Sequence, residues 1–139
     1  MQKVFVYGTL KSGHGNNRLL HGSEFLGRCV VRLPYSFVSL GGFPGLVRTN
    51  PTPPEREVGG EVWQVDARAL QRLDALEGHP SFYERLMIQT PFGEAWTYTL
   101  PSTDRYLRCP EVVTPFWEQD DDEAEFLAIG RDDVVVGSA

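Results

Sequence analysis

The chain has 139 residues, 41% of them hydrophobic and 23% charged, which predicts one soluble globular domain over residues 1–139, with no apolar run long enough to cross a membrane. Its formal net charge of −6 argues against nucleic acid and anionic membranes as partners. Two cysteines are too few for a disulfide framework, and Met1–Lys3 leads straight into strand residues, so we expect a cytoplasmic protein without a signal peptide.

The N-terminal segment is the first predicted element. Val4–Tyr7 contains only β-branched and aromatic residues, which is typical of a buried strand. The strand stops at Gly8, and a loop with Gly13 and Gly15 follows. Such a loop presents backbone N–H groups at the end of a sheet, where they can bind a carboxylate, a phosphate or an oxyanion. The same pattern also occurs in ordinary turns, so it does not assign a site by itself.

The middle of the chain shows a succession of short strands. Beyond a helical turn over 16–20, strands are predicted over 24–33, 35–40, 46–48, 58–65, 82–90 and 94–100. The pair Gly59-Gly60 suggests a bulge or the close approach of another backbone. Because the strands do not alternate with helices, this order favours an α+β fold. We expect a mixed or antiparallel sheet of about six to seven strands, curled or closed into a barrel, with one main helix.

The one clear helix follows the strand over 58–65. It begins after Asp66, which is a favourable N-cap residue. It ends at Gly78, which suits a left-handed C-cap, and Pro80 prevents continuation. Its apolar residues recur at helical spacing and predict the face that packs on the core: Leu70, Leu73 and Leu76.

Glu77 is the most informative single residue of that helix. It stands seven positions after Leu70 and four after Leu73, which places a carboxylate on the apolar face. Partial burial and the negative end of the helix dipole both raise its pKa toward the range useful for a general acid or base. Asp74 would raise that pKa further if it faced the same cavity. The alternative is that the last turn frays, leaving Glu77 in solvent or paired with Arg85.

Acidic residues dominate the C-terminal part of the chain. Residues 101–110 are predicted to form a loop, and Thr114-Pro115 resembles the start of a helix. Glu118–Glu125 accounts for most of the net charge and predicts a solvated segment. Val134–Val136 begins either a small strand or a loose tail. No role is assigned to the acidic segment over 111–139.

The common nucleotide, metal and hydrolase motifs are absent. Gly8 and Gly13 have the spacing of a phosphate-binding loop, but His14 stands where a lysine is required. Arg18 occupies the position at which a dinucleotide fingerprint needs a small residue. The histidines show no ligand spacing, and Cys29 lies among apolar strand residues, where inert burial is expected. We therefore expect no metal and no cofactor.

Three stretches of the sequence carry a family pattern. They are Val4–Lys11 followed by Asn17 and Leu20, then Gly60–Val65, and then Leu73–Gly78 followed by Tyr83-Glu84-Arg85. In this order they resemble the γ-glutamylcyclotransferase-like family, most closely its γ-glutamylamine cyclotransferase branch, over residues 3–100. The resemblance implies a small barrel-like α+β domain with one cavity.

The resemblance also implies a reaction and the residues that carry it. Glu77 is the implied catalytic acid/base, and the loop Tyr7, Gly8, Thr9 and Leu10 is the implied binding site for the glutamyl part of a small-molecule substrate. Tyr83 and Tyr98, like Tyr7, are candidate wall residues with a hydroxyl to offer. The reaction cyclises a γ-glutamyl group to 5-oxoproline and releases an amine. No protein nucleophile is needed, because the substrate's own α-amine attacks its γ-carbonyl.

Two other kinds of protein remain compatible with the sequence. A non-catalytic binding module would use the same cavity to hold a small acidic or amide ligand. An interaction protein would use the acidic run over 118–125 to dock a basic partner. No feature of the sequence selects the leaving amine or an oligomeric state.

Overall fold

The computed structural model describes residues 1–117 and 134–136. Its strands are β1 (Gln2–Val6), β2 (Glu24–Leu33), β3 (Ser36–Ser39), β4 (Pro44–Val47), β5 (Arg56–Val65), β6 (Glu84–Thr90), β7 (Gly93–Thr99) and β8 (Val134–Val136). Its helices are α1 (Ala67–Glu77) and the short α2 (Asp104–Leu107), and Asn17–Leu20 forms a 3-10 turn. Within this described part, no helix combines the length and the apolarity that crossing a bilayer requires.

The large sheet is mixed and curls toward a barrel. Its strand order is β6-β7-β1-β5-β2-β8, and β3 and β4 form a separate hairpin. The pairs β1–β7 and β2–β8 are parallel, whereas β1–β5, β2–β5 and β6–β7 are antiparallel. Strand β6 contacts β2 and β8, so the two ends of the sheet approach each other. The predicted α+β fold, with a curled mixed sheet and one main helix, is confirmed.

The second half of β1 is buried on both faces, which explains the uninterrupted apolar sequence Val4–Tyr7. Val4 and Val6 pack in the cluster that contains Leu73 of α1. Phe5 and Tyr7, which point to the opposite face, pack in a second cluster. The end of β1 therefore lies between the two halves of the core, and the glycine loop begins there.

The two adjacent glycines of β5 mark close approaches and not a bulge. A Cβ atom at Gly60 would lie 2.3 Å from the Val6 carbonyl oxygen, so the expected approach of another backbone is present. The register between β2 and β5 is regular at both glycines. The irregularity lies between Phe25 and Gly27 of β2, where Gly27 has a φ of +155°. Of the two alternatives predicted for Gly59-Gly60, the close approach is the one that is formed, and the bulge lies in β2.

Two predictions for the C-terminal part differ from the structure. The loop over 101–110 contains the short helix α2. Thr114–Trp117 forms bends where a helix start was expected, because Pro115 and Phe116 are held against β5. The Gly59 N–H donates to the Pro115 carbonyl oxygen at 2.7 Å, and the fully buried Phe116 ring covers Gly59. Val134–Val136 is a strand parallel to β2, and the acidic run over 118–125 lies outside the described residues.

Candidate active site

Helix α1 carries Glu77 to the end of the sheet. The Asp66 side chain caps the helix by accepting a hydrogen bond from the Ala69 N–H at 2.8 Å. Gly78 ends the helix in the left-handed conformation, with a φ of +67°. Leu73 is fully buried, which fixes the rotation of the helix about its axis. Glu77, one turn later on the same side, therefore faces inward as its spacing predicts.

Asp74 ties the last turn of α1 to the sheet. Its carboxylate accepts hydrogen bonds from the Tyr98 hydroxyl at 2.7 Å and from Arg85 Nε at 3.0 Å. The Arg85 guanidinium also lies over the Trp96 ring, 4.4 Å from its centroid. Arg85 thus pairs with Asp74, and the pairing with Glu77 that the sequence allowed is not formed.

The glycine loop forms a turn directly after Tyr7. The Lys11 N–H donates to the Gly8 carbonyl oxygen at 3.1 Å. A side chain at position 8 would meet the Pro44 ring at 2.8 Å, so the close approach of β4 requires glycine. The N–H groups of Gly8, Thr9 and Leu10 donate no hydrogen bond to another residue of the described chain. They are therefore available to a bound anion.

Two fully buried charged side chains anchor this loop from behind. Lys11 Nζ donates to the Trp117 carbonyl oxygen at 3.3 Å. Glu61 Oε1 accepts a hydrogen bond from the Ser12 N–H at 2.8 Å, and Glu61 Oε2 lies 3.4 Å from an Arg28 nitrogen. Because burying charge is costly unless it is paired, these contacts hold the loop in one conformation.

The loop, the end of α1 and the β3–β4 connection surround a cavity of about 300 Å³, which lies at the lower end of the range for small-molecule sites. The residues predicted as site residues all line it: Tyr7, Gly8, Thr9, Leu10, Glu77, Tyr83 and Tyr98. Further lining residues were not predicted: Phe5, Val6, Asn16, Gly42, Phe43, Pro44, Leu76 and Phe82. Among all these lining residues, Glu77 alone is charged.

Burial raises the pKa of the Glu77 carboxyl from 4.5 to about 7. The cause is desolvation, which disfavours the ionised form. Asp74 does not line the cavity, so the predicted contribution from a second carboxylate is not seen. No residue of the described chain forms a hydrogen bond or ion pair with the Glu77 carboxylate. At neutral pH the group populates both protonation states, so it can accept and donate a proton.

The cavity tyrosines have their hydroxyl hydrogens engaged by the protein. The Tyr7 hydroxyl donates to the Tyr98 carbonyl oxygen at 2.5 Å, and the Tyr83 hydroxyl donates to the Pro44 carbonyl oxygen at 2.6 Å. The Tyr98 hydroxyl donates to Asp74. Burial is the largest of the causes that raise the pKa of all three hydroxyls, so they stay protonated. The three tyrosines line the cavity as walls. Their hydroxyl hydrogens are not free to bind a ligand, because each is donated to an acceptor in the protein.

Two neighbouring asparagines support the glycine loop. Asn16 Nδ2 donates to the Thr9 hydroxyl oxygen at 2.8 Å, which leaves the hydrogen of that hydroxyl available to a ligand. Asn17 Nδ2 donates to the Leu10 carbonyl oxygen at 2.9 Å. Asn17 is part of the family pattern in the sequence, whereas Asn16 was missed as a cavity residue. The signal for Asn16 is its place at the end of a glycine-rich loop, where amide side chains commonly bond to the backbone.

The apolar side of the cavity was also missed. Leu76 was expected on the core face of α1, but it is 41% exposed and lies at the cavity. Phe43 is 37% exposed and comes from the connection over 41–45. A large aromatic residue among glycines and a proline is the signal in the sequence, because such a connection does not need one.

Residues 1–117 and 134–136 contain no group of His, Cys, Asp or Glu side chains arranged to hold a metal ion. Cys29 is buried and Cys109 half-buried, and no disulfide joins them. Besides the three tyrosine hydroxyls, the polar groups at the cavity are the Glu77 carboxylate, the Asn16 amide, the Thr9 hydroxyl and backbone N–H groups. This set suits proton transfer and anion binding.

The sequence profile of a family described as "Gamma-glutamyl cyclotransferase, AIG2-like" matches residues 4–119. The chain belongs to this family. The match continues past Leu100, where the pattern noted in the sequence ended, and so includes α2 and the segment that covers β5. Family membership supports an enzyme of the gamma-glutamylcyclotransferase kind.

Individual relatives agree with this assignment. A Vibrio cholerae protein provisionally named a gamma-glutamylcyclotransferase is 43% identical over 102 residues, which are 73% of this chain and 84% of that protein. YtfP of Escherichia coli K12, named a gamma-glutamylcyclotransferase family protein, is 40% identical over 96 residues, 69% of this chain and 80% of its own. The structure of an AIG2-like protein from Mus musculus matches with a TM-score of 0.70 at 28% identity, covering 89% of this chain and 92% of that one.

Proposed function

We propose that this protein cyclises a γ-glutamyl amide to 5-oxoproline and releases a free amine. The observation that carries the proposal is the Glu77 carboxylate, whose pKa is raised to about 7 and which is the one charged group among the described residues that line the cavity. The free N–H groups of Gly8–Leu10 at the same cavity support it.

The reaction needs one group that moves a proton twice. The neutral α-amine of the substrate attacks its γ-carbonyl carbon, and the ionised Glu77 takes a proton from the attacking nitrogen as the ring C–N bond forms. The protonated Glu77 then gives this proton to the leaving nitrogen as the original C–N bond breaks. A pKa near neutrality suits both steps, because neither form of the carboxyl is scarce.

The remaining work of the protein is to bind and bend the substrate. Ring closure is intramolecular, so holding the glutamyl chain with its amine close to its γ-carbonyl supplies much of the rate enhancement. The N–H groups of Gly8, Thr9 and Leu10 bind the α-carboxylate or the developing oxyanion. The engaged tyrosine hydroxyls keep the cavity walls rigid around the bent chain.

The charges at the cavity favour a γ-glutamylamine over a γ-glutamyl amino acid. A γ-glutamyl amino acid carries a second carboxylate on its leaving group. Within residues 1–117 and 134–136, no lysine or arginine lines the cavity. The ionised Glu77 repels a second anion. We also propose a cytoplasmic location, because two cysteines are too few for a disulfide framework.

The test is a product assay with a Glu77→Gln variant. Purified protein is incubated with a panel of γ-glutamylamines and γ-glutamyl amino acids, and 5-oxoproline is measured by mass spectrometry. We expect product from the wild type and a loss of about 10²- to 10⁴-fold in the variant, because glutamine cannot transfer the proton. Glu94→Gln is the matched control, since Glu94 is an exposed carboxylate of β7 away from the cavity.

Two results would contradict the proposal. Wild-type turnover by Glu77→Gln would remove Glu77 from the mechanism. Failure of the wild type to form product from any panel member, together with a rise in melting temperature on adding one, would indicate a non-catalytic binding module instead.

A further inference from the structure

We propose that the leaving amine carries an apolar substituent, which packs against Phe43, Leu76 and Phe82 at the cavity mouth. These three residues form the apolar mouth of the cavity. The inference rests on the proposed cyclotransferase reaction and names the chemical class of its amine.

The apolar mouth contains large apolar side chains that the fold leaves exposed. In the described part of the chain, the large apolar residues with this property are Met1, Phe25, Phe43, Leu76, Met87 and Val113. Phe43 and Leu76 line the same cavity although they come from different elements, the β3–β4 connection and α1. Exposed apolar surface that converges on a cavity is typical of a ligand-binding site.

Phe82 provides a fixed wall between these exposed side chains and the core. Its ring meets the rings of Phe43, Tyr83 and Tyr106 edge-on, with centroid distances of 6.4, 5.0 and 6.2 Å. Such edge-to-face contacts hold an aromatic ring in one orientation. An apolar group that enters the mouth therefore meets a preformed surface, which reduces the entropy cost of binding.

The position of Glu77 directs the substituent toward this wall. Leu76 immediately precedes Glu77, and Phe82 immediately precedes Tyr83, another cavity residue. The leaving nitrogen has to lie within hydrogen-bonding reach of the Glu77 carboxylate to receive its proton. The substituent on that nitrogen thus begins beside the carboxylate, with the apolar mouth next to it and the anion-binding loop at the glutamyl end.

The first experiment measures kcat/KM for a series of γ-glutamyl n-alkylamides, from methyl through propyl to pentyl. We expect kcat/KM to rise by about two- to fourfold for each added methylene. The upper value corresponds to a methylene that is fully buried in the mouth, and the lower value to one that is partly buried. The γ-glutamyl 2-hydroxyethylamide is the matched polar analogue of the propylamide. It should be the poorer substrate of the two, because the mouth offers its hydroxyl no polar partner.

The second experiment assigns the preference to the proposed residues. Leu76→Ala and Phe43→Ala should each reduce the ratio of kcat/KM for the pentylamide to that for the methylamide toward one. Both side chains are exposed, so we expect both variants to fold. Phe25→Ala is the matched control, because Phe25 is equally apolar and 46% exposed but does not line the cavity, and it should keep the wild-type ratio.

The outcomes separate this inference from the proposed function. Turnover that is independent of chain length, or faster for the hydroxyethylamide, would overturn the inference and leave the cyclotransferase reaction intact. An unchanged ratio in both mouth variants would also overturn it. Absence of 5-oxoproline with every amide would overturn the proposed function and the inference together.

Discussion

Glu77 lies at the last turn of α1, where both its surroundings and the helix dipole oppose a negative charge. The capped helix end and the buried Leu73 place the side chain in the cavity and not in solvent. The raised pKa means that folding with an ionised Glu77 costs free energy. The Glu77 carboxylate, which can transfer a proton near neutral pH, therefore also lowers the free energy of unfolding near neutral pH.

This cost predicts how stability depends on pH. The pKa of Glu77 is about 7 in the folded protein against an ordinary value of 4.5. Between these values the folded state binds the proton more tightly than the unfolded state, so stability falls as the pH rises from 4.5 to 7. At pH 8, Glu77→Gln should be more stable than the wild type by about 3 kcal/mol, and at pH 4.5 by little. Urea unfolding at the two pH values measures the difference.

The control for this prediction is again Glu94→Gln, whose exposed carboxylate should show no such pH-dependent gain. A stability difference for Glu77→Gln that is the same at both pH values would mean that the carboxyl is not held away from water.

Helix α1 is held differently at its two ends. At its start, the exposed Asp66 caps a backbone N–H and touches nothing of the cavity. Near its end, Asp74 joins the helix to Arg85 of β6 and Tyr98 of β7. Asp74 lies one turn before Glu77, so these two contacts control where the carboxylate is placed relative to the sheet. We infer that Asp74 is a positioning residue, acting through Glu77.

Asp66→Ala and Asp74→Ala together distinguish an effect on stability alone from an effect on the position of Glu77. Asp66→Ala should cost about 1 kcal/mol of stability and leave kcat unchanged. Asp74→Ala leaves Arg85 and the Tyr98 hydroxyl without their acceptor, and should cost about 2 kcal/mol. It should also lower kcat at least tenfold at a temperature where both variants are folded, because Glu77 is displaced. Urea unfolding and steady-state kinetics measure both effects. Equal kcat values in the two variants would limit Asp74 to a structural role.

At the scale of the whole molecule, the segment over 110–117 packs across β3 and β5. The Ser39 N–H donates to the Pro110 carbonyl oxygen at 2.8 Å, and Arg56 Nη2 donates to the Thr114 carbonyl oxygen at 2.8 Å. Phe116 is buried over Gly59. The Trp117 carbonyl oxygen then accepts the hydrogen bond from Lys11. The segment thus connects the back of the sheet with the loop that lines the cavity.

A double-mutant cycle tests this packing. A Cβ atom at Gly59 would lie 2.2 Å from the Phe116 ring, so Gly59→Ala alone should cost about 1–3 kcal/mol. Phe116→Ala alone should cost about 3–5 kcal/mol, because it leaves a cavity. The combined variant should lose at least about 1 kcal/mol less than the sum, since the new methyl group enters the space that the ring leaves. Urea unfolding gives the free energies.

The reference pair is Gly59→Ala with Asp66→Ala. These sites are seven residues apart along an extended strand, about 20 Å, and share no partner, so their effects should add. Additivity in the Gly59 and Phe116 pair would show that the segment does not pack on β5 in solution.

The sequence by itself determined the elements whose formation depends on near neighbours. The apolar run Val4–Tyr7 specifies β1, and Asp66 and Gly78 set the ends of α1 within one residue. The spacing from Leu73 to Glu77 was enough to place a carboxylate on the inner face. These features follow from backbone geometry and capping, which act over a few residues.

Only the tertiary structure decided which groups meet across the sheet. Three features depend on contacts between elements distant in sequence. They are the partner of Arg85, the acceptors of the tyrosine hydroxyls and the bends at Thr114–Trp117. The exposure of Leu76 at the cavity that Phe43 also lines likewise depends on how α1 and the β3–β4 connection are arranged. Local periodicity carries no information on such contacts, because they are set by packing and long-range hydrogen bonds once the sheet has curled.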